Sequence, residues 1–395
     1  MADGRGLRGR AAIVGVADEV SPTGMIDGSV RALEARMIKA ALADAGLSLA
    51  DVNGVACNNS PGWAPSLELA EYLGIQPRWT DSTQTGGSSF EIHVEHAAAA
   101  IALGLCEVAV VVYAATPRSD HQRGTGGWRT RQTAGATPAA EWELPFGLRM
   151  PMGAYALAAS RHMARYGTTS EQLAQIAVST REWAAMNPAA RLRDPITVED
   201  VLASPMPASP LHKLDCCLVT DGAGAVVLTG ADRARDLTRP PAYVLGAATC
   251  HTHSMISEMP DLCVTGAAMS GPAAFAMAGI GPGEVDVAQL YDSFTITVLL
   301  ALEDLGFCAK GEGGAFAAEG VLGPGGALPT NTSGGGLAYT HPGQFGIFLL
   351  VEAVRQLRGD CGPRQVEGAE VAVAHGSGGV LSAMATVVLG TEAAL

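Results

Sequence analysis

Ala41-Leu-Ala-Asp-Ala-Gly-Leu-Ser-Leu-Ala-Asp-Val-Asn53 has an echo further along the chain, Ala274-Phe-Ala-Met-Ala-Gly-Ile-Gly-Pro-Gly-Glu-Val-Asp286. Each copy reads as the end of a helix, a glycine C-cap, an acidic residue with valine, and then a strand. Two further features follow each copy in order. A glycine-rich turn opens a helix, at Gly86-Gly87-Ser88 and at Gly334-Gly335-Gly336, and a strand-like segment closes the unit, at Glu107–Tyr113 and Glu370–His375. Three corresponding features in sequence argue for a duplicated unit.

Strand-like runs fall at 11–17, 52–57, 108–114, 223–228, 242–247, 287–290, 371–374 and 386–389. Helical stretches alternate with them at 30–45, 68–73, 88–103, 154–166, 170–186, 266–278, 295–305 and 343–357. This alternation predicts an α/β fold with mainly parallel sheets covered on both faces. Residues 116–210 fit neither copy and contain amphipathic helices, so they read as an inserted subdomain.

The chain has 395 residues, 48% of them hydrophobic and 16% charged, which suits two large halves around a substantial core. A net charge of −14 argues against nucleic acid as a partner. Eight scattered cysteines without CxxC or Cys/His ligand spacing predict reduced thiols and no metal site. No signal-like apolar segment or membrane span is visible, so the sequence reads as that of a cytoplasmic protein. Against the acidic background, Arg118-Ser-Asp-His-Gln-Arg-Gly-Thr-Gly-Gly-Trp-Arg-Thr-Arg131 is basic. Arg118, Arg123 and Arg129 are candidates for the phosphates of a ligand, with a subunit contact or a solvated loop as the alternatives.

Four polar, glycine-rich segments stand where strands or turns meet helices: Thr85-Gly-Gly-Ser-Ser89, Tyr291-Asp-Ser-Phe294, Asn331-Thr-Ser-Gly-Gly-Gly-Leu-Ala-Tyr-Thr-His-Pro-Gly343 and His375-Gly-Ser-Gly-Gly379. Ligands of open α/β sheets bind at such places. In this order and spacing the segments resemble the thiolase superfamily, and more closely its sterol-carrier-protein-type branch, across essentially the whole chain. The resemblance implies an α/β, duplicated βαβαβαββ fold in five layers, α-β-α-β-α, with an inserted loop subdomain. Residues 1–115 with 211–235 would form the N-terminal half, 116–210 the insertion and 236–395 the C-terminal half.

Thiolases carry a nucleophilic cysteine in the first segment, and here its place falls on Gly87. Tyr291 and Asp292 replace an Asn-Glu pair, His341-Pro342 is kept, and His375 stands about where a proton-shuttling second cysteine belongs. A glycine forms no acyl-enzyme. Ser88 and Ser89 are the substitutes at hand, but serines at a helix start are ordinarily caps. The backbone N–H groups of Gly87, Ser88 and Gly378 would remain to stabilise an enolate.

That profile resembles the steroid side-chain-cleaving aldolases of this superfamily. By that resemblance the catalytic set is Tyr291, Asp292, Tyr339, His341 and His375. Tyr291 would take the proton of a β-hydroxyl, with His341 as the rival base, and Tyr339 or His341 would reprotonate the enolate. The resemblance further implies no cofactor beyond coenzyme A as part of the substrate, a homodimer, and a zinc-ribbon/OB-fold partner giving a heterotetramer. Two other readings stay open: a Claisen-type acyltransferase, and a catalytically silent acyl-CoA-binding subunit.

Overall fold

The two copies of the repeat fold alike. In a computed structural model, which describes residues 6–58, 63–125 and 137–395, helix α1 (Val30–Asp44) ends before Gly46, whose φ is +69°. A short 3-10 turn over Leu49–Asp51 then leads to strand β2 (Gly54–Ala56). In the second copy the helix Ala267–Ala278 ends at Gly279 with φ +68°, a 3-10 turn covers Pro282–Glu284, and a strand follows over Val287–Leu290. The last residues of the copies do the same work. The Asn53 side chain accepts the N–H groups of Glu107 and Val108, and the Asp286 carboxylate accepts those of Glu370 and Val371. Each fixes the start of the neighbouring parallel strand.

The first half comprises β1 (Ala11–Glu19), α1, β2, α2 (Pro65–Leu73), β3 (Trp79–Asp81), α3 (Ser89–Ala102), β4 (Val108–Ala115) and, after the insertion, β5 (Gly222–Gly230). The insertion contains α4 (Pro117–Arg123), α5 (Met152–Tyr166) and α6 (Ser170–Ala185). The second half comprises β6 (Ala242–His251), α7 (Ala267–Ala278), β7 (Val287–Leu290), α8 (Thr295–Asp304), α9 (Gly346–Arg358), β8 (Val371–Gly378) and β9 (Ala383–Gly390). Strand order is β3-β2-β4-β5-β1 and then β6-β9-β8-β7. The halves are mirror arrangements joined where Ala12 and Ile13 meet Tyr243 and Ala242. Where β3 would recur beside β7 there is a single parallel bridge, Ala288 to Thr330.

The expectation of mainly parallel sheets is corrected: only β2–β3, β2–β4 and β7–β8 are parallel, and the other pairings are antiparallel. The cause is the closing strand pair of each half, which sends β5 and β9 back against β4 and β8. A second correction concerns Gly334-Gly335-Gly336. These residues open a short π-helical turn, Gly335–Tyr339, and the helix matching α3 begins later, at Gly346.

Alternate residues of the strands face different layers. Ala11 and Ile13 of β1, with Ala372 and Ala374 of β8, pack on the central helices α3 and α9. Ala12, Val14 and Val373 look outward, into the core that contains residues of α1, α7 and α8. Gly15 and Gly246, each at a bulge, let a helix lie against its strand, because a Cβ there would overlap the carbonyl oxygen of Ala41 or Ala274. This layering aims the N-termini of α3 and α9 at one point between the halves. Among the described residues no helix is long and apolar enough to cross a membrane.

Candidate active site

Thr85-Gly86-Gly87-Ser88 leads into α3 at the meeting point of the halves. Gly86 has φ +86°, and a Cβ there would lie 2.7 Å from the backbone nitrogen of Gly379. The two glycine segments therefore touch backbone to backbone. At Gly87 a Cβ would overlap Cε2 and Cζ of Tyr291 and come within 2.5 Å of the Ser377 carbonyl oxygen. The ring of Tyr291 fills the space a side chain at position 87 would need. Both neighbouring serines are engaged within the turn. Ser89 Oγ donates to the Gly86 carbonyl at 2.7 Å, and the fully buried Ser88 Oγ lies 3.0 Å from Thr85 Oγ1.

Tyr291 follows β7 directly, and its N–H is held by the His375 carbonyl at 2.9 Å. Its hydroxyl receives the Phe345 N–H at 3.2 Å and lies 3.1 Å from His341 Nε2. With one lone pair taken by the backbone N–H, the hydroxyl keeps its own proton to donate to His341 Nε2 in the tautomer that carries the ring proton on Nδ1. Burial drives the His341 pKa down to about 4, and burial raises that of Tyr291 well above the usual value for a phenol. Both groups are neutral at pH 7. Thr220 brackets the histidine: its Oγ1 accepts the His341 N–H at 2.8 Å, and its own N–H reaches the His341 carbonyl at 3.3 Å.

Asp292 sits one residue on and is fully buried. Its carboxylate accepts the N–H of Gly336 at 2.7 Å and that of Leu337 at 3.1 Å, and burial lifts its pKa to about 7 despite those bonds. Gly335 and Gly336 let the loop come so near, since a Cβ on Gly335 would overlap the carboxylate. Asp292 thus shapes the loop that carries His341. The insertion holds the same loop from its other side, through the N–H groups of Arg191 and Leu192 on the carbonyls of Tyr339 and Ala338.

Two expected members point elsewhere. The Tyr339 hydroxyl donates to Asp18 of β1, and Asp18 also binds Arg355 of α9 at 2.6 Å. Its ring packs edge-on against Phe348. That hydroxyl is therefore not at hand for the Tyr291–His341 pair. His375 alternates with Ala374 and Gly376 along β8, which turns its ring away from the central helices. Nδ1 lies 2.9 Å from Thr386 Oγ1 of β9, and burial drops the His375 pKa to about 3. It ties two strands together.

Gly378 packs against the turn, where a Cβ would overlap the Thr85 carbonyl and lie 2.6 Å from Ser88 Oγ. Of the arginines, Arg118 lies along Gly24 and Thr220 with its Nε buried and unpartnered. Arg123 is exposed and pairs with Asp120 at 3.5 Å, and Arg129 lies outside the described residues. Among the described residues no hydrogen bond or ion pair joins Arg118 or Arg123 to the Tyr291–His341 pair.

Sequence reading singles out neither Tyr155 nor Glu91, and it takes Cys217 for part of a packed strand edge. Tyr155 of the insertion stacks on Phe294 at 4.4 Å, and its hydroxyl stands among Ser293, Ser377 and the Leu381 backbone; burial raises its pKa to about 12. Cys217 gives its N–H to the Ser293 carbonyl at 2.9 Å. Glu91, in the first turn of α3, is wholly buried, and neither carboxyl oxygen bonds to another residue. None of these lies in a glycine-rich segment, the one signal that marked the others. Among the described residues no group of His, Cys, Asp and Glu side chains is arranged to hold a metal ion.

Residues 19–232 match the family model for the thiolase N-terminal domain, and residues 248–391 match that for the thiolase C-terminal domain-like family. A steroid side-chain-cleaving aldolase of Thermomonospora curvata is 38% identical over 388 residues, 94% of this chain and 96% of that protein. A 17-hydroxy-3-oxo-4-pregnene-20-carboxyl-CoA lyase of Mycobacterium tuberculosis is 38% identical over 368 residues, 89% of this chain and 92% of that one. The solved structure of an Ltp2-ChsH2(DUF35) aldolase superposes with a TM-score of 0.88 at 34% identity, covering 98% of this chain and 99% of that one.

Proposed function

The chain belongs to the thiolase superfamily and is an enzyme of its aldolase/lyase kind, and from that premise we propose that it cleaves a β-hydroxyacyl-CoA to a ketone and a shorter acyl-CoA. The observation that carries this reading is the Tyr291 ring lying over Gly87 with its hydroxyl bonded to a neutral His341. Room for a nucleophile is replaced by a proton acceptor. The likeness to a steroid side-chain-cleaving aldolase supports a steroid side chain as the acyl group.

The proton count closes within the site. The β-hydroxyl gives its proton to the Tyr291 oxygen as the tyrosine proton passes to His341 Nε2. The bond between the α and β carbons breaks, the β carbon becomes a carbonyl, and the electron pair remains as a thioester enolate. The imidazolium returns its proton through Tyr291 to the α carbon. A phenol in water ionises near pH 10, and burial makes free ionisation harder still. Concerted transfer to His341 avoids a free phenolate. The forming enolate places a negative charge beside the ring, which raises its basicity. Backbone N–H groups at Gly87, Ser88 and Gly378 would stabilise that charge, each by roughly 3 kcal/mol. The reaction is redox-neutral, and coenzyme A enters only as part of the substrate.

Tyr291→Phe tests the reading. It is expected to lower kcat about 100-fold or more while acyl-CoA binding, followed by calorimetry, stays within a few-fold. Normal turnover by this variant would remove Tyr291 from the chemistry.

The assembly belongs to the same proposal. Among the described residues the outer edge of β3 pairs with no strand, which suits a homodimer that continues the sheet across two copies. The likeness to the solved Ltp2-ChsH2(DUF35) aldolase supports a zinc-ribbon/OB-fold partner and a heterotetramer. Eight unpaired cysteines fit a cytoplasmic setting. Sedimentation of the purified chain should give a dimer, and a monomer at micromolar concentration would overturn that part.

A further inference from the structure

The carboxyl group of Glu91 touches three parts of the site at once. A Cβ on Gly346, the first residue of α9, would overlap both Glu91 Oε2 and the Gly87 carbonyl oxygen. A Cβ on Gly376 of β8 would overlap Oε2 again and lie 2.8 Å from Ser88 Cα. The group thus fills the space beneath the Gly87 turn, between the start of α9 and the end of β8. Each neighbour bears on the chemistry: the residue before Gly346 is Phe345, whose N–H holds the Tyr291 hydroxyl, and the residues after Gly376 are Ser377 and Gly378. Glu91 is fully buried, and among the described residues neither oxygen bonds to another residue and no cation faces it. An unpaired buried polar group asks for a reason.

We propose that Glu91 is a positioning residue of the aldol site that acts as the neutral acid, a plug on which the Gly87 turn, α9 and β8 close. The proposal rests on the aldolase reading above. Burial lifts its pKa to about 8, against the lowering effect of its own backbone N–H, so ionisation would place an uncompensated negative charge against three backbone segments and part them. The charged and titratable groups of those segments are engaged elsewhere. On α9, Glu352 binds Arg364, Arg355 binds Asp18 and Arg358 binds Asp44; on β8, His375 binds Thr386. On its own helix His93 bonds the Thr83 carbonyl and His96 binds Asp81, while Glu95 lies one turn on and is half-buried. Tyr291, over the turn, is neutral.

The test is the pH profile of kcat for β-hydroxyacyl-CoA cleavage by the wild type and by Glu91→Gln. Wild-type kcat should fall about tenfold per pH unit above pH 8. Glu91→Gln, neutral and of the same shape, should keep kcat within threefold at pH 7 and lose that alkaline limb. An unchanged limb in the variant, or loss of activity at pH 7 in a folded variant, overturns the proposal. Infrared difference spectra give a readout independent of turnover. The wild type should show a protonated-carboxyl band that titrates away at alkaline pH and is missing from Glu91→Gln, or from Glu91→Met should the glutamine variant fail to fold. No such band overturns the proposal. A band that titrates as expected in a protein that cleaves no β-hydroxyacyl-CoA would leave Glu91 the neutral plug and sink the aldolase reading alone.

Discussion

Tyr339 and Tyr291 are the same side chain with opposite assignments, and the difference lies in what each hydroxyl meets. Tyr291 meets a neutral imidazole and a backbone N–H; Tyr339 meets the Asp18 carboxylate, itself bound to Arg355. Tyr339→Phe removes one hydrogen bond to a charged group, so it should lower stability by about 2 kcal/mol and leave kcat within about threefold. Denaturant midpoints and steady-state rates measure both, and a 100-fold loss of kcat without loss of stability would return Tyr339 to the chemistry. The segments holding Tyr291, His341 and Gly87 were legible in the sequence because glycines mark where backbone meets backbone. The direction of a side chain was not. Whether a hydroxyl in a glycine-rich loop faces the turn or Asp18, some three hundred residues away in sequence, is decided by packing between the halves. Glu91 escaped for a related reason: on a helix it reads as an ordinary charge until the glycines opposite it, Gly346 and Gly376, are known to be its neighbours.

At the scale of elements, the turn into α3 and the strand end at Tyr291 are complementary shapes, and a change in one is felt by the other. Gly87→Ala forces a methyl into the phenol ring and should reduce stability by about 1–3 kcal/mol. Tyr291→Ala opens a hole and also destabilises. The double variant should be more stable than the sum of the two changes allows, by about 0.5–3 kcal/mol, as in other contacting pairs. Strict additivity in urea unfolding would mean that the ring does not lie over Gly87. The elements themselves were mostly readable. α1 and α7 could be matched because both end in glycine with φ near +70° before a 3-10 turn and a strand. β3 could not, since three residues give no period to count. The antiparallel return of β5 and β9 was also hidden, because a buried strand reads the same in either direction.

Across the whole molecule, the insertion is more than a cover. His162 of α5 lies 3.1 Å from Glu303 of α8, and Lys310 binds both Glu303 at 3.1 Å and Asp304 at 2.6 Å. Trp183 of α6 donates to the Leu322 carbonyl, and Asn187 donates to that of Ser333. The bonds of His162, Trp183 and Asn187 clamp the insertion to the second half, and that of Asn187 holds the loop with His341 from behind. Lys310→Met leaves two buried carboxylates without their cation and should destabilise by about 3 kcal/mol, read as a lower denaturant midpoint; an unchanged midpoint would show that the cluster carries no such load. The ring over Gly87 also bears on the chain's history. Restoring a side chain at position 87 collides with the ring, and removing the ring first empties the core and, on the proposed mechanism, discards the proton acceptor. On that mechanism neither change alone is tolerated, so the tyrosine works as a ratchet that keeps acyl-enzyme chemistry out of reach of any single mutation.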